Sequence, residues 1–274
     1  MVTLPLVVGI DGSEASLEAV DWAAEEAVRH GVPLRLLHAV VRDDEAADVL
    51  GAAAARAGKT APTVPLSSEV VHEDAAFALT GEGRNAFALV LGPRGRGGLS
   101  GMLLGSVGLA VAARADCPVI VVRGSREHRD GRFGNIVVGV EEGEGSGTAV
   151  RFALREAQVR RCRLVAVHAW SAAAGAPTPP RAPSWYALEA YRRPPAQVLD
   201  DALRDPAQRY RDASVSRRVF EGPARRALLE AASEADLLVV GAHRRKGHLG
   251  LQLGLTNHAM LHHAPCPIAV VPQI

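Results

Sequence analysis

The sequence predicts an α/β protein of two tandem, doubly wound parallel sheets with helices on both faces. Short apolar runs such as Leu6–Ile10, Phe87–Leu91 and Pro118–Val122 have the length of buried strands and alternate with segments of helical periodicity. Alternation of this kind implies parallel pairing, because each crossover returns the chain to the same end of the sheet. The same set of strands recurs in the second half, so the chain reads as a duplication.

Taken in order, Leu6–Ile10 is a strand that ends at Asp11-Gly12-Ser13, a turn and helix-start signal. Ala15–Val28 carries apolar residues at helical spacing, with Gly31 and Pro33 as its stop. Leu34–Val41 is the second strand and Asp43–Ala57 an alanine-rich helix closed by Gly58. Val64–Val71 is a third strand, Ala75–Leu79 a short helix and Phe87–Leu91 a fourth strand. A glycine-rich loop, Gly92 to Ser106, follows; then come a helix over Val107–Arg114 and a last strand, Pro118–Val122.

The repeat fixes the organisation. Ile136–Val140 matches Leu6–Ile10, and Ala166–Ala169 matches Leu36–Ala39, both displaced by 130 residues. Leu237–Gly241 matches Ala88–Gly92, and Cys266–Val271 matches Cys117–Val122, both displaced by 149. Val70 against Val219 already shows the longer displacement, so 19 extra residues enter after the second strand of the second copy. The alanine- and proline-rich stretch 171–195 is that insertion, expected to be a loop or flap. The expected domains are 1–124 and 133–274, joined by a charged linker over 125–132.

Composition excludes several classes. A hydrophobic content of 48% excludes a disordered chain, and 274 residues suffice for one large domain or two ordinary ones. The net charge of +1 carries no overall signature of a nucleic-acid binder, and 4% aromatic residues leave few stacking platforms for single strands. Cys117, Cys162 and Cys266 are widely spaced and odd in number, which fits a reducing, cytoplasmic setting. No run approaches the roughly 20 apolar residues of a membrane span, and Asp11 interrupts the first apolar run too early for a secretory signal. Neither a nucleic acid nor a membrane is expected as a partner.

The loop Gly92 to Ser106 carries the chemistry. Glycines let backbone approach a ligand closely, and a helix start offers unpaired N–H groups with partial positive charge, an arrangement suited to phosphate. Taken alone, the same glycines could form a plain surface turn. Asp11 could contact a ligand or cap the first helix, and Ser106 sits where a helix cap belongs. Arg94 and Arg96 could neutralise phosphates or remain solvated.

Both halves resemble universal stress protein domains, on the spacing Gly92-x2-Gly95-x9-Gly105-Ser106, the strand ends Val8-Gly9-Ile10-Asp11 and His38-Ala39, and the strand start Cys117-Pro118-Val119. The resemblance implies an open five-stranded sheet of order 3-2-1-4-5 in each half, with ATP, and Mg as its counter-ion, at the C-terminal ends of strands one and four. It places Asp11 at the adenine and ribose end and Ala39 beside adenine through its backbone. Gly92 and Gly95 would allow close approach to ribose and phosphate, while Gly105, Ser106 and Val107 would wrap the phosphates. It also implies a regulatory module of stress response with an unidentified protein partner. Antiparallel pairing of the last strands would make the chain an intramolecular pseudo-dimer, and a homodimer is compatible with it. A slow ATPase and a nucleotide-free scaffold are the alternatives.

The second copy departs from the pattern. Glu141, Arg244 and Leu255 stand where Asp11, Gly95 and Ser106 stand, although Gly241 and Gly254 remain. The second site is expected to have lost ATP or to bind something else. His258 and His262 have a metal-capable spacing without an obvious third ligand. Gly58-Lys59-Thr60 lacks the first glycine of a Walker motif, no Gly-x-Ser-x-Gly elbow occurs, and no catalytic constellation is evident.

Overall fold

A computed structural model describes residues 3–40, 46–95, 104–143, 146–171, 194–244 and 251–273. The first half runs β1 (Leu6–Ile10), α1 (Glu14–His30), β2 (Leu34–Ala39), α2 (Ala46–Thr60), β3 (Leu66–Val71), α3 (Ala75–Glu82), β4 (Ala88–Leu91), α4 (Ser106–Arg114) and β5 (Val119–Val121). A short helix, α5 (Arg126–Arg129), leads into the second half. There β6 (Asn135–Gly139), α6 (Gly147–Arg160), β7 (Arg163–Trp170), α7 (Pro195–Arg209) and β8 (Val215–Glu221) come first. Then follow α8 (Ala224–Ala232), β9 (Leu237–Arg244), β10 (Leu251–Gln252), α9 (Leu255–His263) and β11 (Ile268–Gln273).

The strands form one sheet in the order β3-β2-β1-β4-β5-β11-β9-β6-β7-β8, with β10 added on β9. Each half has the order 3-2-1-4-5 and is parallel throughout its five main strands. The halves meet where β5 and β11 pair antiparallel, with Ile268 opposite Val121, Ala269 opposite Ile120 and Val270 opposite Val119. Each apolar last strand thereby covers the edge of the other.

Alternation along the strands divides the core into two layers. Leu6, Val8 and Ile10 face α1, α2, α6 and α7, while Val7, Leu89 and Leu91 face α3, α4, α8 and α9. Ser13 starts α1 by accepting the Ser16 N–H at 3.2 Å, and Gly31 ends it in the left-handed region at φ 62°. Arg161 holds the same left-handed cap after α6 at φ 52°, an arginine where the first half has glycine.

Several local expectations differ from the structure. Gly58 does not close α2, which continues to Thr60, because buried Ala53 and Ala57 hold the helix to the sheet against a penalty of about 1 kcal/mol for one glycine. Ser106 is not a cap: Gly105 holds that position, and Ser106 is the first helical residue. Asp11 does not cap α1 either; Ser13 does. The linker contains α5 and is tied down, with Arg129 Nη2 2.8 Å from Glu18 of α1. Residues 172–193 of the insertion lie outside the described residues, and Pro195 already begins α7.

Where α1 and α6 cross, four charged groups are buried together. His30 Nε2 lies 3.1 Å from Glu26 Oε1 and 3.0 Å from Glu156 Oε1, and Arg160 reaches both carboxylates. Glu26 corresponds to Glu156, and His30 to Arg160, at the 130-residue displacement, so one helical motif has been used twice across the seam. Burial alone would raise the Glu26 carboxyl, but Arg160, His30 and Arg29 outweigh it and hold it well below the usual range. Burial and the Glu26 charge push Glu156 up. Burial would lower His30, yet its bonds to the two glutamates dominate and raise it to about 9.

Candidate functional site

A cavity of about 530 Å³ opens at the C-terminal ends of β1 and β4. Strand order reverses there, since β1 pairs with β2 on one side and with β4 on the other, and neighbouring connections run to opposite faces. All seven residues singled out in the sequence, Asp11, Ala39, Gly92, Gly95, Gly105, Ser106 and Val107, line this one cavity.

Each is positioned by identifiable local forces. The end of β1 is held by His38, whose Nδ1 lies 2.7 Å from the Ile10 carbonyl; His168 makes the equivalent 2.9 Å contact to Val140. Asp11 Oδ1 accepts from the Ser13 backbone N–H at 3.0 Å and from the Ser13 hydroxyl at 2.6 Å. The carboxylate thus braces the residue that caps α1. Gly92 lies against the start of α1, where a Cβ would stand 2.7 Å from the Ala15 carbonyl oxygen. Backbone cannot give way as a side chain can, so glycine is required for β4 to leave the sheet here. At Gly95 a Cβ would collide with Asp11 Oδ2, so the loop and the carboxylate are packed together.

The other end of the glycine loop is fixed as well. Gly105 N–H donates to the Pro93 carbonyl at 2.9 Å, which brings the N-terminus of α4 back to the exit of β4. No side chain caps α4, so its first N–H groups at Ser106 and Val107 face the cavity side without an internal carbonyl partner. Residues 96–103, including Arg96, lie outside the described residues. The opposite wall is apolar, made by Leu37, Leu79, Leu91 and Ala75. The cavity therefore has an oily end and an end of peptide N–H groups with Arg94, suited to a flat ring and an anionic group respectively.

The second half is built differently at the equivalent place. Where β4 stops at Leu91, β9 continues through Gly241 to Arg244 and pairs antiparallel with β10, Leu251 opposite Arg244. Backbone of the loop position is thus spent on a hairpin. Gly241 is covered by Gln273, whose Oε1 accepts from Thr148 N–H at the start of α6 at 3.3 Å. Glu141 is paired with His243 at 3.3 Å across the ends of β6 and β9, and Leu255, in the place of Ser106, is 93% exposed.

Other sequence candidates fall away from this site. Cys117 and Cys266 are buried, and burial pushes both thiols up to about 12, which suits small apolar core residues. The rings of His258 and His262 stack with centroids 4.9 Å apart. Among the described residues the one group with metal-ligand spacing is Glu26, His30 and Glu156, where Arg160 already supplies the balancing charge. That network was not singled out by residue type. The signal was the 130-residue displacement carrying Glu26 onto Glu156 inside two helices.

Comparison with known proteins agrees with this architecture. The family model described as the universal stress protein family matches residues 4–123 and again 132–272. A universal stress protein of Mycolicibacterium smegmatis is 31% identical over 288 residues, covering 97% of this chain and 96% of that protein. The crystal structure of a universal stress protein from Archaeoglobus fulgidus covers 98% of both chains with a TM-score of 0.68 at 15% identity, a likeness of fold. A universal stress protein solved in complex with cAMP is 32% identical over 44% of this chain, with a TM-score of 0.37. No helix among the described residues is long and apolar enough to cross a membrane. With its two matched domains, its doubled sheet and a full-length relative above 30% identity, the chain belongs to the universal stress protein family.

Proposed function

We propose that the first half binds an adenine nucleotide, ATP with Mg as its counter-ion, and that the chain acts as a regulatory module whose nucleotide state is read by a protein partner. One observation carries the reading: a single cavity at the strand reversal is apolar at one end and lined by the uncapped N-terminus of α4 and Arg94 at the other. The base lies against Leu37, Leu79 and Leu91, beside the Ala39 backbone. Asp11 meets the ribose, Gly92 and Gly95 permit close approach, and Gly105, Ser106 and Val107 wrap the phosphates through backbone N–H groups and the Ser106 hydroxyl. The second half takes no nucleotide, a reading supported by the β9–β10 hairpin and the Glu141–His243 pair in place of the loop.

Nucleotide released by denaturing the purified full-length chain tests this directly. About one ATP per chain is the expected result. Two per chain would overturn the reading of the second half, and failure of added ATP either to bind or to raise the melting temperature would overturn the nucleotide reading of the first.

A further inference from the structure

The seam one strand from the cavity brings together basic side chains from both halves. Val122 N–H donates to the Leu91 carbonyl at 2.8 Å, which sets Arg123 next to the point where Gly92, Pro93 and Arg94 leave the sheet. Arg123 then crosses the seam, and its Nη1 donates to the Leu261 carbonyl in the last turn of α9. His262 is the next residue; its ring stacks on His258 at 4.9 Å and lies 6.3 Å from that of His263. Among the described residues no carboxylate pairs with Arg94, Arg123, His258, His262 or His263, and the Arg123 Nε is buried with no hydrogen-bond partner.

The groups feel one another. Burial lowers the pKa of Arg123, and the Arg94 charge adds to that. Burial also lowers His262, helped by His258, His263 and Arg123. The C-terminal dipole of α9 and one carbonyl compensate part of the Arg123 charge. Two arginine charges, Arg94 on the cavity wall and Arg123 one strand away at the seam, with an imidazole N–H of His262 beside them, favour an anion shared between them.

We propose that Arg94, Arg123 and His262 form an anion subsite at the seam between the halves, which receives the outer phosphates of a nucleotide seated in the first-half cavity. The inference rests on the nucleotide reading above and adds to it that the second half contributes a ligand-binding side chain. The second copy, without a nucleotide loop of its own, thereby completes the site of the first. A nucleoside triphosphate is favoured over a monophosphate, because only the former reaches beyond the α4 N-terminus.

Calorimetric titration of the full chain with AMP, ATP and inorganic tripolyphosphate tests the subsite, using the native chain, Arg123→Gln and His262→Gln. The native chain is expected to bind ATP at least about tenfold more tightly than AMP, and each variant to weaken ATP about tenfold while leaving AMP unchanged. His262→Gln keeps the test independent of any loss of helix capping in Arg123→Gln. Equal affinity for AMP and ATP in the native chain, or equal weakening of both in the variants, would overturn the subsite while leaving the nucleotide cavity standing. Tripolyphosphate binding that fails to compete with ATP would overturn it as well, by assigning the charges to a separate anion. Binding of neither AMP nor ATP would remove the nucleotide reading and the subsite with it.

Discussion

Replacing His30 by glutamine tests what holds the two halves together. His30 is faced by Glu26 and Arg29 of its own helix, by Glu156 and Arg160 of α6, and by the ring of Phe87 at 4.8 Å. A folded-state pKa raised from 6.5 to about 9 is worth about 3 kcal/mol of stability in the protonated form. Because the folded value lies above the unfolded one, that stabilisation is fully present below pH 6.5 and is lost as pH rises through about 9. Between pH 6.5 and 8.5 the native chain should lose about 2 kcal/mol from this group. A glutamine side chain does not titrate, so the His30→Gln variant should be weaker at pH 6.5 and should lack the His30 loss over the same range, keeping only the loss that belongs to the raised Glu156 carboxyl. Cys117, Cys162 and Cys266, raised by burial to about 12, 11 and 12, add their own loss at higher pH, but equally in both proteins. Urea denaturation at a series of pH values reads the difference. Parallel stability curves for the two proteins from pH 6.5 to 8.5 would refute the proposed role of the imidazolium.

Three further outcomes follow from single positions. Gly95→Ala should displace the Asp11 carboxylate without disturbing the core, so ATP affinity should fall several-fold in calorimetry while the melting temperature of the ligand-free chain barely moves. Arg161→Gly relieves a left-handed arginine at the end of α6 and should raise stability by up to about 1 kcal/mol in urea denaturation; a loss would contradict the cap geometry. Asp236→Ala leaves the N–H groups of Phe133 and Gly134, now bonded at 2.9 and 2.8 Å, without their buried acceptor and should cost about 3 kcal/mol by the same measurement.

The strands and the cavity were legible because their signals are local. An apolar run such as Leu6–Ile10 has few ways to be buried, and Gly92 is needed where β4 meets the start of α1. Asp11 and Ser106 line the cavity, but neither is a helix cap: one-residue shifts in a helix start depend on backbone angles that residue type leaves open. The course of β9 was hidden for a related reason. Gly241 keeps the pattern of Gly92, yet Ala242 and His243 stay extended beside β11, which runs on to Gln273, and Arg244 pairs with Leu251 of β10. The Glu26–His30–Glu156–Arg160 network escaped because each helix alone carries an ordinary surface motif, and only the crossing of α1 and α6 buries it.

The antiparallel seam between β5 and β11 makes assembly a unimolecular event. Two separate domains meeting by the same strands would come apart on dilution, and their ligand response would depend on protein concentration. Here the partner edge is always present at the effective concentration set by the connection through α5. The changed loop residues of the second copy, Arg244 and Leu255 in place of Gly95 and Ser106, consequently leave the first copy's edge covered. The two halves can differ at their strand ends while remaining matched in how they pair, which gives a chain of two unlike copies the sheet of a symmetric dimer.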